Sequence, residues 1–377
     1  MRIVLACDWW APRIGGIESV LRDLAAAHAA RGHDVHVLTT TRNAAPLQGV
    51  RIDRIVTPMI GGIAVPNPLR ISDLVERLEK DRPDVVHAHG MFSPLAIGMV
   101  AASARARVPS VLTIHSLLQP PPVFVAAKAI FSTFARGSGV VTGVSRAVAA
   151  DIERAAGRSA RVVPNGLDLD VWQSAGSLPF RERDEVLVAA VMRLAPKKRP
   201  RDLLEAFAAA CAARPMLPLR LSIAGDGPER AALERLAVRL GCADRVAFLG
   251  AQTHDQVRAL LSRAAVFAHP GTREAFGIAL LEARAAGVPV VAMNAGGVPD
   301  VVEHNRSGLL AGSKKEFARY LTALVADTAL RRRLGEAGRS LLDAYRWQRV
   351  ASMYEAVYRD AVETVRATAV RSHSMTT

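Results

Sequence analysis

Cysteine is scarce: only Cys7, Cys211 and Cys242 occur in 377 residues, an odd number without CxxC spacing. That excludes a disulfide framework, offers no zinc site and makes a reducing cytosol the expected compartment. The amino terminus, MRIVLACDWW, enters a strand-like run directly, with no basic leader, signal-length apolar stretch or cleavage site, so export is not expected. No apolar run approaches the roughly 18 residues needed to span a membrane. The nearest, residues 123–135, is interrupted by Lys128 and suits a surface contact at most. Aromatic residues make up 5% of the chain and do not interleave with its arginines, and no block of five like charges occurs. The net charge of +14 therefore lacks the clustering and stacking platforms of a nucleic-acid surface, and no nucleic-acid partner is expected. Internal repeats and low-complexity segments are absent as well.

What is present is a chain 50% apolar, long enough for two domains or one large α/β unit. Near-continuous β-branched runs at Arg2–Cys7, Asp34–Thr40, Arg51–Val56, Asp84–His89, Val111–His115, Gly139–Ser145 and Ala160–Pro164 are separated mostly by helical spacing, as in Ile17–Ala30. Runs that do not alternate with polar residues read as strands buried on both faces of a parallel sheet. The rhythm breaks at residues 165–179, NGLDLDVWQSAGSLP, the best linker candidate. It restarts at Glu185–Val191, Leu219–Ala224, Val246–Gly250, Ala264–His269 and Pro289–Met293, with a helix predicted over Arg230–Leu240. The stretch from Thr328 to Arg366 reads as helical, with Trp347, Tyr354, Val357 and Ala361 as its buried stripe. The expectation is an α/β protein of two doubly wound parallel-sheet domains.

In such sheets ligands sit beyond the carboxyl ends of the strands, so polar residues just after strands carry the functional weight. After the first strand, Gly15 and Gly16 open a helix, a place where backbone N–H groups can approach a phosphate. GxGxxG and a ribose acid are missing, which argues against a dinucleotide site. His87 and His89 share a strand face, as metal or phosphate contacts or as packed histidines, and His115 stands alone at a strand tip. Arg193 and Lys198 follow the first strand of the second half, a guanidinium fork and a point charge fit for a departing diphosphate or for a solvated basic loop. Gly225 and Gly227 allow close backbone approach in the next strand-to-helix turn. In HPGTREAFGIALLEA, residues 269–283, a helix starting near Phe276 would leave Glu274 in the loop before it and Glu282 about two turns in. The amides of Phe276, Gly277 and Ile278 would then face whatever Glu274 holds. Asp168-Leu169-Asp170 spells DxD but follows Pro-Asn-Gly, and reads as helix-cap chemistry rather than a metal site.

The ordered set of Gly15-Gly16, His115, Arg193/Lys198 and Glu274 with Glu282 resembles the retaining nucleotide-sugar glycosyltransferases of family 4. VPNGLD at Val163–Asp168, FLG at Phe248–Gly250 and GGVPDVVEHNRSGLL at Gly296–Leu310 extend the likeness over nearly the whole chain. Phosphatidylinositol mannosyltransferases are similar, and residues 8–21 and 115–118 also resemble the N-acetylglucosaminyltransferase subunit of glycosylphosphatidylinositol synthesis. The resemblance implies the GT-B fold, two Rossmann-like domains facing a cleft. An acceptor domain would span residues 1–170, a donor domain residues 171–344, and a helix at about 345–370 would pack back on the first.

It further implies His115 against the transferred sugar, Arg193 and Lys198 on the diphosphate, Glu274 on sugar hydroxyls and Glu282 on the ribose. Gly15, Gly16, His89, Gly225, Phe248, Leu249, Phe276, Gly277 and Ile278 would be substrate contacts. Met192 and Arg199 stand where the family usually has glycine, so a differently shaped phosphate loop is expected. The implied activity is metal-independent, cofactor-free and retaining. It transfers a hexosyl or N-acetylhexosaminyl group from a UDP- or GDP-sugar to a lipid-linked, polysaccharide or small acceptor. A sugar-nucleotide epimerase and a non-catalytic nucleotide-sugar binder are the alternatives. The cytosol, including the inner face of the cell membrane, is the expected location, and residues 58–70 and 116–136 would shape the acceptor pocket.

Overall fold

The computed structural model describes residues 1–12, 15–55, 59–60, 63–64, 71–119, 121–134, 139–157, 159–175 and 185–374. Parts of the expected linker and of both acceptor-pocket segments lie outside them. The chain divides into two compact units, one of residues 1–166 with 345–377 and one of residues 167–344.

The first unit opens with β1 (Arg2–Cys7), α1 (Gly16–Ala30), β2 (Asp34–Thr39) and β3 (Val50–Arg54). A short hairpin, β4 (Met59–Ile60) and β5 (Ile63–Ala64), precedes α2 (Ile71–Asp81). Then come β6 (Val85–His89), α3 (Pro94–Arg105), β7 (Ser110–Ile114), α4 (Pro121–Phe134), β8 (Val140–Gly143), α5 (Arg146–Ala156) and β9 (Arg161–Val162). Seven strands form one parallel sheet in the order β3-β2-β1-β6-β7-β8-β9. β6 and β7 are buried at every position, which is why their sequences do not alternate. Helix starts follow local chemistry: the Ser93 and Ser145 hydroxyls accept from Ala96 and Val148 N–H to cap α3 and α5.

In the second unit α6 (Leu169–Ala175) leads into β10 (Val186–Val191), α7 (Pro200–Ala213), β11 (Leu219–Ala224), α8 (Arg230–Arg239) and β12 (Val246–Gly250). There follow α9 (His254–Leu261), β13 (Val266–His269), α10 (Ile278–Ala285), β14 (Val290–Met293), α11 (Val298–Val301), β15 (Gly308–Ala311), α12 (Lys314–Ala326) and α13 (Thr328–Ser340). Its six parallel strands run β12-β11-β10-β13-β14-β15. Phe207, Phe317, Leu203 and Leu321 belong to its buried core. The sequence reading missed β15, four residues inside a glycine-containing loop run. Val171 N–H donates to Asp168 Oδ1 at 3.2 Å, so the first DxD acid is a helix cap, as read.

The expected helical tail breaks at residues 341–346, and α14 (Trp347–Ser374) returns to the first unit, where it contacts α1, β6, β7 and β8. Its buried stripe adds Val350, Ala351 and Tyr358 to the four residues expected. A Cβ on Gly166 would come within 2.5 Å of the Trp347 ring, so glycine in VPNGLD makes room for this helix.

Both strand orders reverse direction, at β1/β6 and at β10/β13. Such switch points open a crevice beyond the strand ends, and the polar residues gather there.

Candidate active site

In the first unit a pocket of about 180 Å³ opens beyond β1, β6 and β7, lined by Asp8, His89, Ser93, His115 and Ser116 among others. The His89 Nδ1 lies 3.0 Å from His115 Nε2. Burial pushes His115 down to about 4 and His89 well below the ordinary histidine range, so both rings are neutral at physiological pH. The His89 Nε2 is buried and lacks a hydrogen-bond partner among the described residues.

His87, on the same strand face, serves a different purpose. Its Nε2 meets Thr113 Oγ1 at 2.7 Å and its Nδ1 meets the Tyr358 hydroxyl at 2.8 Å, while Tyr358 also reaches His28 Nε2 at 3.1 Å. With both nitrogens engaged, His87 is a packed core histidine and not a metal ligand. Its ring centroid sits 3.9 Å from that of His89, so α14 buttresses the pocket histidines through Tyr358.

Asp8 escaped the sequence reading although it directly follows β1. Its backbone carbonyl accepts from the hydroxyls of Thr39, Thr40 and Thr41 at 3.2, 2.8 and 3.2 Å. Leu95 N–H donates to its Oδ1 at 3.3 Å. Burial pushes this carboxyl up, and the bonds from Ser93 and Leu95 oppose that. Gly15 is the N-cap of α1 and Gly16 its first residue, so Ile17, which lines the pocket, stands in the first turn.

In the second unit Arg193 follows β10 with its side chain exposed and, among the described residues, without a side-chain partner. Lys198 and Glu274, expected on different parts of a ligand, are joined directly: Nζ to Oε2 is 2.5 Å. His269, buried at the end of β13, places Nε2 3.3 Å from the same oxygen. Burial alone would raise Glu274, but His269 and then Lys198 outweigh it and hold the carboxyl well below the usual carboxylate range. His269 was missed as a site residue, though it too ends a strand.

The glycines shape this site through backbone contacts. A Cβ on Gly225 would fall within 1.9 Å of the Met192 carbonyl and one on Gly227 within 2.3 Å of that of Leu194. The turn after β11 therefore packs against the two residues flanking Arg193, the close approach expected of a ligand being taken by the protein's own chain. A Cβ on Gly296 would lie 2.2 Å from the Glu274 carbonyl, to which Gly297 N–H donates at 2.8 Å. The GGVPD turn thus clamps the Glu274 loop.

Gly277, at φ 96°, delays α10 to Ile278, two residues later than expected, because this left-handed conformation cannot continue a helix. Phe276 is buried outside the helix, and Glu282 lies little more than one turn in, also buried. Phe248 and Leu249 belong to the edge strand β12, where Leu249 is exposed and the Phe248 carbonyl accepts from Arg230. Arg199 takes φ 55°, ψ 44°, the conformation glycine adopts most easily, and pairs with Asp202 at 2.5 Å. The loop keeps a glycine-like turn without the glycine.

Residues 14–171 match the profile described as Glycosyltransferase Family 4, and residues 174–341 that described as Glycosyl transferases group 1. A D-inositol 3-phosphate glycosyltransferase of Geodermatophilus obscurus is 35% identical over 316 residues, covering 77% of this chain and 69% of that protein. The chain belongs to the group 1 glycosyltransferases. An N-acetyl-alpha-D-glucosaminyl L-malate synthase of Bacillus anthracis is 27% identical to this glycosyltransferase over 373 residues, 93% of this chain and 95% of that one. The structure of Anabaena HepE in complex with UDP shares the fold at a TM-score of 0.78 and 22% identity, covering 94% of this chain and 99% of that one. Among the described residues no helix of the glycosyltransferase is long and apolar enough to cross a membrane.

Proposed function

We propose that this glycosyltransferase binds a nucleoside diphosphate sugar, with UDP as its nucleotide, on the second unit and transfers the sugar with retention to an acceptor hydroxyl held by the first. The observation that carries the reading is the exposed Arg193 guanidinium, without a side-chain partner among the described residues, on a loop braced by two glycine contacts. The charge of Lys198 is matched by Glu274, so Arg193 is the cation of the set left for an incoming diphosphate. When the diphosphate arrives, Lys198 turns toward it and releases Glu274 to accept from sugar hydroxyls. A Cβ on Gly277, the N-cap of α10, would lie 3.4 Å from Glu274 Cγ, so the positive end of that helix supports the same side chain.

Charge that develops on the leaving phosphate is met by Arg193 and Lys198 without a metal. The departing phosphate oxygen takes the acceptor's proton on the same face, which preserves the anomeric configuration. Neutral His115 hydrogen-bonds the transferred sugar rather than acting as a cation. Relatives named for an N-acetyl-alpha-D-glucosaminyl product and for GDP-mannose-dependent alpha-(1-6) transfer support an α-configured outcome. UDP and UDP-glucose complexes of a structural neighbour support the nucleotide.

Incubation with labelled UDP-N-acetylglucosamine, UDP-glucose and GDP-mannose in EDTA tests this. Release of nucleotide from a UDP-sugar is expected, reduced about 100- to 1,000-fold in Arg193→Ala. Wild-type turnover by that variant, or turnover abolished by EDTA, would sink the proposal.

A further inference from the structure

The Glu274 carboxylate has two close neighbours but only one settled bond. Lys198 Nζ holds its Oε2 at 2.5 Å. His269 Nε2 stands 3.3 Å from the same oxygen, yet neither nitrogen of this buried ring makes an aligned hydrogen bond among the described residues. Folded chains rarely leave a buried imidazole in that condition. Gly271 leaves the space that the ring occupies, because a Cβ there would come within 3.0 Å of Nε2. The Glu274 backbone is fixed in turn by Gly297 N–H, which donates to its carbonyl at 2.8 Å. The carboxylate can therefore change partners by rotating its side chain while the loop stays in place.

The donor reading requires Lys198 to leave Glu274 for the incoming diphosphate, and that departure would strand a carboxylate whose side chain is only 15% exposed. We propose that His269 is a positioning residue that takes over Glu274 at that moment: as Lys198 turns to the diphosphate, Oε2 rotates onto the Nε2–H of His269, and Oε1 is left to accept from the sugar. The bond to Lys198 is exchanged for one that the resting site holds in reserve, so opening the ion pair is less unfavourable than breaking it outright. A carboxylate held this way stays where sugar hydroxyls meet it instead of following Lys198 toward the phosphates. His269 acts through Glu274 and touches neither nucleotide nor sugar. The inference rests on the reading that Lys198 serves the diphosphate.

Histidine-selective heteronuclear NMR of the wild type during titration with UDP tests it, with His269→Gln identifying the His269 signal. UDP should move the Nε2 proton downfield and slow its exchange with solvent, the signature of a new bond to a carboxylate. Lys198→Ala should show the same change with no nucleotide present. Affinity supplies the second arm: His269→Leu, which fills the space without a donor, should weaken UDP binding about tenfold or more, and His269→Gln, whose amide can reach the place of Nε2, should recover most of that loss. A UDP-bound wild type with an unmoved His269 signal, full UDP affinity in His269→Leu, or a folded His269→Gln no better than His269→Leu would overturn the proposal and spare the donor reading. The NMR arm stands even if His269→Leu misfolds. Failure of the wild type to bind UDP would defeat the donor reading itself, and this inference with it.

Discussion

At the scale of single residues, the two cations of the donor site are unequal. Lys198 is part of a compact ion pair, whereas the Arg193 side chain has no described partner to lose. Lys198→Ala strips the counter-ion from a largely buried carboxylate and is expected to lower unfolding free energy by about 1.5–3 kcal/mol. Arg193→Ala should change stability by less than about 0.5 kcal/mol while costing turnover. Urea titrations of both variants check the contrast, and equal stabilities would contradict it.

The strand-end rule reached His115 and Arg193 from sequence, and the spacing before a helix reached Glu274. The same rule passed over Asp8 and His269, whose roles appear only once Thr39–Thr41 and Glu274 are brought beside them. Gly225 shows the opposite limit: sequence registers that a backbone must come close, but not that the approaching group is the Met192 carbonyl.

At the scale of elements, turns rather than helices set the site. Gly225→Ala would drive a Cβ into the Met192 carbonyl at a residue with φ 134°, displacing the Arg193 loop. We expect weaker UDP binding together with a loss of about 1–3 kcal/mol in stability, read by calorimetry and melting. Arg199→Gly should leave UDP binding within about twofold, since the left-handed turn already exists and glycine relieves it, offsetting the lost Asp202 pair. A large drop in affinity would show that Arg199 itself contacts the donor.

Tyr358 is a positioning residue that acts on the pocket through His87 and His89. Tyr358→Phe keeps the ring in the core but removes the hydroxyl between His28 and His87, and should lower kcat more than it raises the donor KM. The expected stripe of α14 omitted Tyr358, because a helical period marks a buried face without telling which hydroxyl on it meets a partner from β6.

At the scale of the whole molecule, the +14 charge forms no block of five like charges in the sequence, while the histidines make the fold sensitive to acid. Burial lowers His28 and His115 to about 4 and holds His87 and His89 well below the ordinary histidine range. Between the unfolded histidine value near 6.5 and those folded values, the unfolded chain binds more protons, so stability falls as pH falls. Glu355, held at about 2 chiefly by its hydrogen bond from Arg31, adds stability above its ordinary range that is lost as pH drops from about 4.5 toward 2. Melting temperatures should therefore decline steadily from pH 7.5 to 4.5, and a flat profile would contradict the buried neutral histidines.

The inner strands of the two parallel sheets, β6, β7, β13 and β14 among them, were legible in the sequence because burial at every position leaves an unbroken run. Short strands such as β15, and the break before α14, depend on tertiary packing and were not.

The most direct test of the central claim, a diphosphate held by Arg193 without a metal, is calorimetric titration of UDP into the wild type and Arg193→Ala in EDTA. The account predicts one site in the wild type and an affinity lower by about 10- to 100-fold in the variant. Equal affinity in the two proteins, or wild-type binding that appears only when a divalent cation is added, would contradict it.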